Sequence, residues 1–167
     1  MASWQEFAAA EPELADFAYD RLSERIGYFA TVTDQGGPRV HPVSPFFGGG
    51  HLYVYMEPTS PKVRDLARDA RFALAGTVED NEGGQGEVSL TGRARLVPDE
   101  AERQAAFAAA RDSNQSPEQR YVVFELDLER VMTTVYPGGK PQRRRWAAPP
   151  GPGLSGSPSG SGSPARG

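Results

Sequence analysis

The segment SPKVRDLARDARFAL, residues 60–74, decides more of the fold than any other stretch of this chain. Ser60 suits the N-cap of a helix and Pro61 its first residue, so the pattern predicts a short helix from about residue 61 to residue 68. Residues 72–78 (FALAGTV) then have the apolar composition of a buried strand. This part of the chain is therefore predicted to be a helix followed closely by a strand.

Three strand-type runs precede this unit. They are residues 28–33 (YFATVT), 39–47 (RVHPVSPFF) and 51–56 (HLYVYM), and glycine-rich turns separate them. The last run alternates Leu52, Val54 and Met56 with Tyr53 and Tyr55, as a strand with one buried face does. We expect the three runs to form an antiparallel meander.

Further strands are predicted after the unit, at residues 87–97 (EVSLTGRARLV), 121–126 (YVVFEL) and 131–135 (VMTTV). Helices are predicted within the first 26 residues, where Ser3 and Glu6 have capping-box spacing, and from residue 99 to about residue 110. Six to seven strands with a few short helices predict a mainly β fold, an antiparallel barrel with an N-terminal helix. Sequential hairpins close such a sheet without leaving exposed edges.

Glycine and proline divide the chain into two parts. The 167 residues include 19 Gly and 15 Pro, and these are concentrated in residues 147–167 (AAPPGPGLSGSPSGSGSPARG), where Leu154 is the only large aliphatic residue. Such a segment has no core to bury. The sequence therefore predicts a folded domain over residues 1–146 and a disordered tail over residues 147–167.

Composition excludes several classes of function. Without cysteine there is no disulfide, thiolate nucleophile, zinc–thiolate site or Cys-ligated iron–sulfur cluster. The two histidines belong to no hydrolase or metal-binding motif, so no metal site is expected. The net charge of −4 argues against a nucleic-acid partner. The chain has neither a long apolar run nor the order of a signal peptide, so we expect no membrane association and a cytoplasmic protein.

The start of the predicted helix at residue 61 is the strongest candidate for a binding site. Lys62 and Arg64 lie in its first turn, where the helix dipole disfavours cations unless an anion is present. A phosphate there would meet the Ser60 hydroxyl, free N–H groups and the Lys62 ammonium. Alternatively, Lys62 and Arg64 are solvated cations that pair with carboxylates such as Asp65 or Asp69 at helical spacing.

The order of these segments resembles the pyridoxamine 5'-phosphate oxidase-like split-barrel family, over about residues 25–135. The strongest match is the Ser-x-Lys start at residues 60–62 with the helix and strand that end in ARDARFAL, together with the later G-x-A-x-L-V strand at residues 92–97. This resemblance implies a homodimeric split barrel. It also implies that FMN, or the deazaflavin coenzyme F(420), binds in grooves at the dimer interface.

The resemblance also implies which residues bind the cofactor. Ser60, Pro61 and Lys62 correspond to the phosphate site, and Tyr55 and Met56 end the preceding strand beside the flavin. The remaining positions are Arg39, His41, Pro42, Val43 and Ser44 along the ring edge, Glu87 contributed across the interface, and Trp146 packed on a partner subunit. His41 has other open roles, as a haem ligand or as the partner of a backbone group.

The function implied is a flavin-type oxidoreductase that transfers two electrons, as hydride, to or from a small organic substrate. The cofactor carries this chemistry, so no side chain is needed as a catalytic nucleophile or base. The Arg-Leu-His-x-Arg motif that ends the true vitamin B6 oxidases is absent, so oxidation of vitamin B6 is not expected. Lys62, Arg64 and Arg143–Arg145 favour the more acidic deazaflavin. The alternatives are a flavin- or haem-storage module of the same fold, or a structural dimer with an empty groove.

Overall fold

A computed structural model describes residues 1–80 and 83–150, which form an eight-stranded antiparallel sheet with helices around it. The helices are α1 (Trp4–Ala10), α2 (Pro12–Leu22), α3 (Pro61–Arg68) and α4 (Glu100–Asp112), and Pro137–Gly139 form a 3-10 turn. The strands are β1 (Gly27–Val32), β2 (Pro38–Val43), β3 (Phe46–Gly48), β4 (His51–Met56), β5 (Arg71–Gly76), β6 (Glu87–Leu96), β7 (Val122–Val135) and β8 (Gln142–Ala147).

The sheet curls because its two end strands are consecutive in the chain. The strand order is β2-β1-β5-β6-β7-β4-β3, and β8 pairs with β7 beside this path. Only Ser44 and Pro45 connect β2 to β3, and two residues span no more than about 7 Å. The ends of the sheet must therefore lie close together, which confirms the predicted split-barrel class.

The predicted meander is broken in its middle run, although the first run pairs with the second and the second with the third as predicted. The run at residues 39–47 divides at Ser44 and Pro45 into β2 and β3, which stand at opposite ends of the sheet. β2 pairs with β1, whereas β4 pairs with β3 and β7. Proline has no N–H to donate to a strand ladder, so Pro45 marks the point where the chain leaves one strand for the next.

β7 is one strand of 14 residues, where the sequence predicted two strands. Charged side chains at residues 127, 129 and 130 interrupt its apolar pattern, but its backbone continues to pair with β6. On its other side, residues 122–125 pair with β4 and residues 130–135 pair with β8. β8 itself was not predicted, because its sequence QRRRWA has almost no apolar alternation.

Two hydrophobic clusters stabilise the fold. The larger cluster fills the barrel and includes the fully buried Phe29, Leu74 and Leu90, with Phe7 and Leu22 from α1 and α2 against them. The smaller cluster lies between α4 and the other face of β3 and β4, with members Phe46, Val97, Ala106, Phe107, Ala110 and Val123. The predicted caps are present, since Ser3 and Glu6 form a capping box and Asp99 accepts a hydrogen bond from the Glu102 N–H.

Gly92, the first residue of the G-x-A-x-L-V motif, is required by a close approach of two strands. A Cβ atom at this position would lie 1.9 Å from the carbonyl oxygen of Asp127 on β7. The register of β6 against β7 also shifts between Thr91 and Gly92. A larger residue would therefore separate the two strands that share the longest ladder in the sheet.

The end of the described chain continues the sheet. Ala147 is the last residue of β8, and the Ala148 N–H donates a hydrogen bond to the Glu129 carbonyl over 2.9 Å. The rest of the predicted tail, residues 151–167, lies outside the described residues. Within residues 1–80 and 83–150, no helix has both the length and the apolar character needed to cross a membrane.

Candidate functional site

The inner face of β2 presents polar side chains next to α3. Arg39 pairs across the strands with Thr31, and His41 with Phe29, and both of these β1 residues are buried. The intervening residues, Val40 and Pro42, are exposed on the opposite face of the sheet. Strand alternation therefore aims Arg39 and His41 toward the barrel side and toward α3.

A buried carboxylate fixes the position of Arg39. Asp65 on α3 is 4% exposed and accepts hydrogen bonds from the Thr31 hydroxyl at 2.9 Å and from Arg39 Nε at 2.8 Å. Arg68 faces its other oxygen at 3.7 Å. Burial by itself raises the pKa of Asp65, but the hydrogen bonds and the charges of Arg39 and Arg68 outweigh burial, and the pKa lies below its ordinary value. Asp65 is thus a charged anchor that ties β1 and β2 to α3.

The start of α3 offers donors without partners. Ser60 is the N-cap residue, but its hydroxyl forms no capping hydrogen bond. Pro61 has no N–H, and the Val63 N–H donates to the Ser60 carbonyl at 3.0 Å, so the Lys62 N–H is the remaining first-turn donor. The first turn contains no acidic residue. Among the described residues, the Ser60 hydroxyl and this N–H have no hydrogen-bond partner, so both could bind an anion.

Lys62 is a half-buried cation without a counter-ion among the described residues. Burial lowers the pKa of its ammonium group. The carboxylates that could have paired with it are used elsewhere, because Asp65 binds Arg39 and Asp69 binds Arg71 at 2.6 Å. Pairing of Lys62 or Arg64 with Asp65 or Asp69, the alternative left open by the sequence, does not occur.

The Nε2 nitrogen of His41 is buried and has no hydrogen-bond partner within residues 1–80 and 83–150. Burial lowers the pKa of this histidine, and the nearby positive charges of Lys62 and Arg39 lower it further, whereas Asp65 opposes them. The imidazole is therefore neutral at physiological pH. Arg39, His41 and Lys62 form one polar group beside the start of α3.

The other residues of β2 and β4 that were predicted to bind the cofactor lie in different places, some in the core and some on the surface of the sheet. Val43 and Met56 are buried in the barrel core, and Pro42 lies on the outer face of the sheet. Ser44 is half-buried in the link between β2 and β3. Tyr55 points to the side of β4 opposite Met56 and stacks on Tyr121, with ring centroids 5.6 Å apart. Tyr55 and Met56 therefore cannot line the same side of one cavity within a single chain.

Glu87 and Trp146 lie on β6 and β8, whereas Arg39, His41 and Lys62 lie on β2 and α3. Glu87 begins β6 and accepts a hydrogen bond from the Tyr136 hydroxyl at 2.6 Å. Trp146 on β8 packs on Phe7 of α1, with ring centroids 4.8 Å apart. The tryptophan ring is thus already covered within its own chain, and packing on a partner subunit is not needed to explain it.

Sequence reasoning missed the residues that organise the polar group. Thr31 lies within an apolar strand pattern, and Asp65 looked like a partner for the lysine and arginine of its own helix. One sequence signal could have indicated that Asp65 is a buried ion-pairing residue. It lies three residues before Arg68 and on the apolar side of α3, next to the buried Leu66. Its bond to Arg39, 26 residues away, follows only from the packing of α3 against β1 and β2.

A second buried carboxylate lies on the other side of the barrel. Glu125 on β7 is hydrogen-bonded to His51 Nδ1 and to Arg95, and Arg95 also faces Glu102 of α4 at 3.6 Å. These groups border a cavity of about 300 Å³. The cluster links β4, β6 and β7 to α4 and fixes the His51 side chain.

Comparison with known proteins identifies the family. A family model described as pyridoxamine 5'-phosphate oxidase matches residues 11–135, about three-quarters of the chain. The chain belongs to the pyridoxamine 5'-phosphate oxidase family. The match begins within the first helices and ends with the last residue of β7, so it covers the whole barrel apart from β8. No curated protein sequence matches the chain.

Solved structures share the fold of this pyridoxamine 5'-phosphate oxidase-like chain. A conserved hypothetical protein of Mycobacterium tuberculosis has a TM-score of 0.62 and 20% identity over 88% of this chain and 92% of its own. PhzG of Burkholderia lata, solved with tetrahydrophenazine-1-carboxylic acid, has a TM-score of 0.61 and 14% identity over 87% and 88%. A haem-binding protein of Mycobacterium smegmatis has a TM-score of 0.58 and 23% identity, and the match covers 75% of this chain and 53% of that protein.

Proposed function

We propose that this protein is a flavin-type oxidoreductase that binds FMN or the deazaflavin coenzyme F(420) through the cofactor phosphate. One observation carries the proposal: Lys62 is half-buried at an uncapped helix start, and arginines already bind Asp65 and Asp69 of the same segment. A half-buried cation without a counter-ion is unfavourable. A phosphate bound by Lys62, the Ser60 hydroxyl and the first-turn N–H would remove that cost.

The other members of the polar group would hold the ring of the cofactor. The bound flavin or deazaflavin would supply two-electron transfer to or from a small organic substrate. Arg39, fixed by Asp65, presents its remaining guanidinium donors, and neutral His41 can donate or accept one hydrogen bond. The chain's own residues would thus bind and orient, and none is required as a nucleophile.

We further propose that the cofactor groove is completed by a second copy of the chain. The outer face of β2, β1 and β5 carries small and apolar side chains in two rows, Pro42–Tyr28–Ala75 and Val40–Ala30–Ala73. Tyr28 and Val40 are 51% and 57% exposed on this face. An exposed apolar sheet face of this kind is typical of an interface. A partner's Glu87 could then reach the groove that Glu87 of the same chain does not approach.

The choice between the two cofactors depends on the arginines of β8. Arg144 is neutralised by Glu11 and Glu13, at 3.4 and 3.0 Å. Arg143 and Arg145 have no such partners among the described residues, so two of the three basic side chains remain for an acidic cofactor tail. With Lys62 and Arg64 they favour F(420) over FMN.

A cytoplasmic location remains the expectation from the sequence.

Titration of the purified protein with each cofactor tests the proposal. We expect a saturable change in absorbance with FMN or F(420), and we expect Lys62→Ala to weaken the preferred cofactor by about 1.5–3 kcal/mol, roughly ten- to a hundredfold in Kd. Lys140→Ala is the matched control, because Lys140 is an exposed lysine far along the sequence from this site. Equal binding by the wild type and Lys62→Ala would refute the phosphate assignment.

Storage of haem is a second candidate, supported by the unpartnered Nε2 of His41. A neutral imidazole with a free nitrogen is a common iron ligand, and structural relatives include the mycobacterial haem-binding protein. Haem binding would give a Soret band that His41→Ala abolishes. A bound flavin that reductants and substrates can cycle would instead support the oxidoreductase.

A further inference from the structure

The cavity of about 300 Å³ between α4 and the sheet is lined by polar side chains that strand register brings together. Tyr53 on β4 pairs with Glu125 on β7, and Glu125 pairs with Arg95 on β6. Paired residues in antiparallel strands project to the same side, so these three side chains form one row. Glu102 and Ala105 of α4 add a wall beside the row. A cavity of this size with converging polar groups can hold a small molecule.

A buried carboxylate determines which ring nitrogen of His51 is left for a ligand. Glu125 is 4% exposed and is hydrogen-bonded to Arg95 and to His51 Nδ1. A carboxylate that binds an arginine is ionised and can only accept hydrogen bonds, so the proton of the second bond is on Nδ1. In a neutral imidazole the other nitrogen, Nε2, is then an acceptor. Within residues 1–80 and 83–150, Nε2 of His51 has no hydrogen-bond partner.

The Tyr53 hydroxyl is the second polar group of the cavity. The Tyr53 and His51 ring centroids are 5.8 Å apart. Burial raises the pKa of Tyr53, and the charge of Glu125 raises it further, so the hydroxyl keeps its proton at neutral pH. In the part of the chain that the structure describes, this hydroxyl forms no hydrogen bond. Tyr53 therefore offers a donor close to the acceptor of His51.

The remaining wall of the cavity consists of residues with little or no side chain. Gly48 and Gly49 form it on the β3 side, opposite Ala105 of α4. A Cβ atom at position 48 would lie 2.2 Å from the Cβ of Ala109 on α4, so this wall stays flat as long as α4 packs against it. A flat wall beside two polar groups suits a planar ring that carries a polar substituent.

We infer that this cavity binds a neutral aromatic compound with a hydroxyl group. Its O–H would donate to His51 Nε2, its oxygen would accept from the Tyr53 hydroxyl, and its ring would lie against the glycine wall. Neither Ser60 nor Lys62 lines the cavity. Its lining residues belong to β3, β4, β6, β7 and α4, whereas the proposed interface lies on β2, β1 and β5. The site is therefore separate from the proposed phosphate site and from the proposed interface.

Heteronuclear NMR of the isotope-labelled full chain, titrated with phenol and with its methyl ether anisole, tests this inference. We expect saturable shifts of the His51 ring signals with phenol, and a Kd below about 10 mM. Anisole has no O–H to donate, so it should bind about fivefold more weakly, the usual effect of one lost neutral hydrogen bond. His51→Phe keeps a ring but removes the acceptor, and it should weaken phenol binding by a similar factor, followed at the Gly49 and Ala105 amides.

A second variant tests the role of Glu125. In Glu125→Gln the amide N–H₂ can donate to His51 Nδ1, which moves the ring proton to Nε2 and turns the acceptor into a donor. Phenol should then lose its advantage over anisole. This result needs only the ratio of the two affinities, so it remains informative if His51→Phe does not fold.

Two control variants locate the site. His41→Phe makes the same exchange at the other histidine and should leave phenol binding unchanged. Lys62→Ala should also leave it unchanged, which separates this inference from the cofactor proposal. Equal affinity of the wild type for phenol and anisole, absence of saturable shifts, or equal weakening by His41→Phe and His51→Phe would each overturn the inference.

Discussion

At the scale of single residues, Asp65 organises the candidate site although it is not expected to touch the cofactor. It is buried, it remains charged, and its two hydrogen bonds at 2.8 and 2.9 Å hold Arg39 and Thr31 on neighbouring strands. Removing one partner of a buried ion pair is costly, because the other charge is left without compensation. Asp65 thereby determines where the Arg39 guanidinium lies relative to His41 and Lys62.

We expect Asp65→Asn to lower the free energy of unfolding by about 1.5–3 kcal/mol at pH 7. Because the folded-state pKa of Asp65 lies below its ordinary value, its contribution is complete above about pH 4 and is lost as the pH falls through the folded-state pKa. The difference between wild type and variant should therefore shrink at about pH 3. Urea denaturation at both pH values measures it.

Asp112→Asn is the control for this measurement, since Asp112 is an exposed residue at the end of α4. Its stability should stay within about 0.5 kcal/mol of wild type at both pH values. A difference between wild type and Asp65→Asn that is the same at pH 7 and at pH 3 would contradict the lowered pKa.

At the scale of elements, β8 extends the sheet beside β7 although its sequence is almost entirely polar. It pairs with the second half of β7 and places Trp146 against Phe7 of α1. Its arginines alternate, so that Arg144 pairs with Glu11, between α1 and α2, and with Glu13 in the first turn of α2, whereas Arg143 and Arg145 face outward. One strand therefore anchors the N-terminal helices on one face and presents Arg143 and Arg145 on its other face.

We expect Trp146→Ala to lower the free energy of unfolding by about 2 kcal/mol, less than the loss of a fully buried aromatic ring, because Trp146 is half-buried. Thermal or urea denaturation measures the loss. Arg143→Ala, an exposed change three residues earlier on the same strand, should shift stability by no more than about 0.5 kcal/mol. Equal free energies of unfolding for Trp146→Ala and Arg143→Ala would show that the Trp146 ring does not anchor α1.

At the scale of the whole molecule, one face of the sheet is left without a helix. The helices α1 and α2 cover one end of the barrel core, and α4 covers β3 and β4. The outer face of β2, β1 and β5 carries the exposed Tyr28, Val40 and Ala73, with the half-buried Ala30 and Ala75 between them. This flat and weakly polar surface is the part of the molecule best suited to a second copy of the chain.

We expect the wild type to sediment as a dimer, at twice the chain mass of 18.0 kDa, and Val40→Glu to sediment as a monomer. A charge introduced on both copies at an apolar interface would be buried without a partner. Val78→Glu is the control, because Val78 is 49% exposed but lies beyond the end of β5. A wild-type monomer, or a Val40→Glu dimer, would contradict the proposed interface.

Much of the fold could be predicted because its signals are local. Ser60 and Pro61 predicted the start of α3, Ser3 and Glu6 the first capping box, and the alternation from His51 to Met56 a strand with one buried face. The predicted strand boundaries were wrong where the alternation of apolar residues is interrupted but the backbone hydrogen bonds between strands continue. The charged residues within β7 and the arginines of β8 are the examples.

The sequence by itself determined the helix–strand unit at residues 60–74, the mainly β class and the resemblance that the family match confirms. It could not determine the order of all the strands in the sheet, because β2 and β3 are adjacent in the chain but lie at opposite ends of the sheet. Nor could it show that Asp65 binds Arg39, so that Lys62 has no counter-ion in the part of the chain that the structure describes. Both depend on pairing between distant segments, which is fixed only when the sheet curls and α3 packs against it.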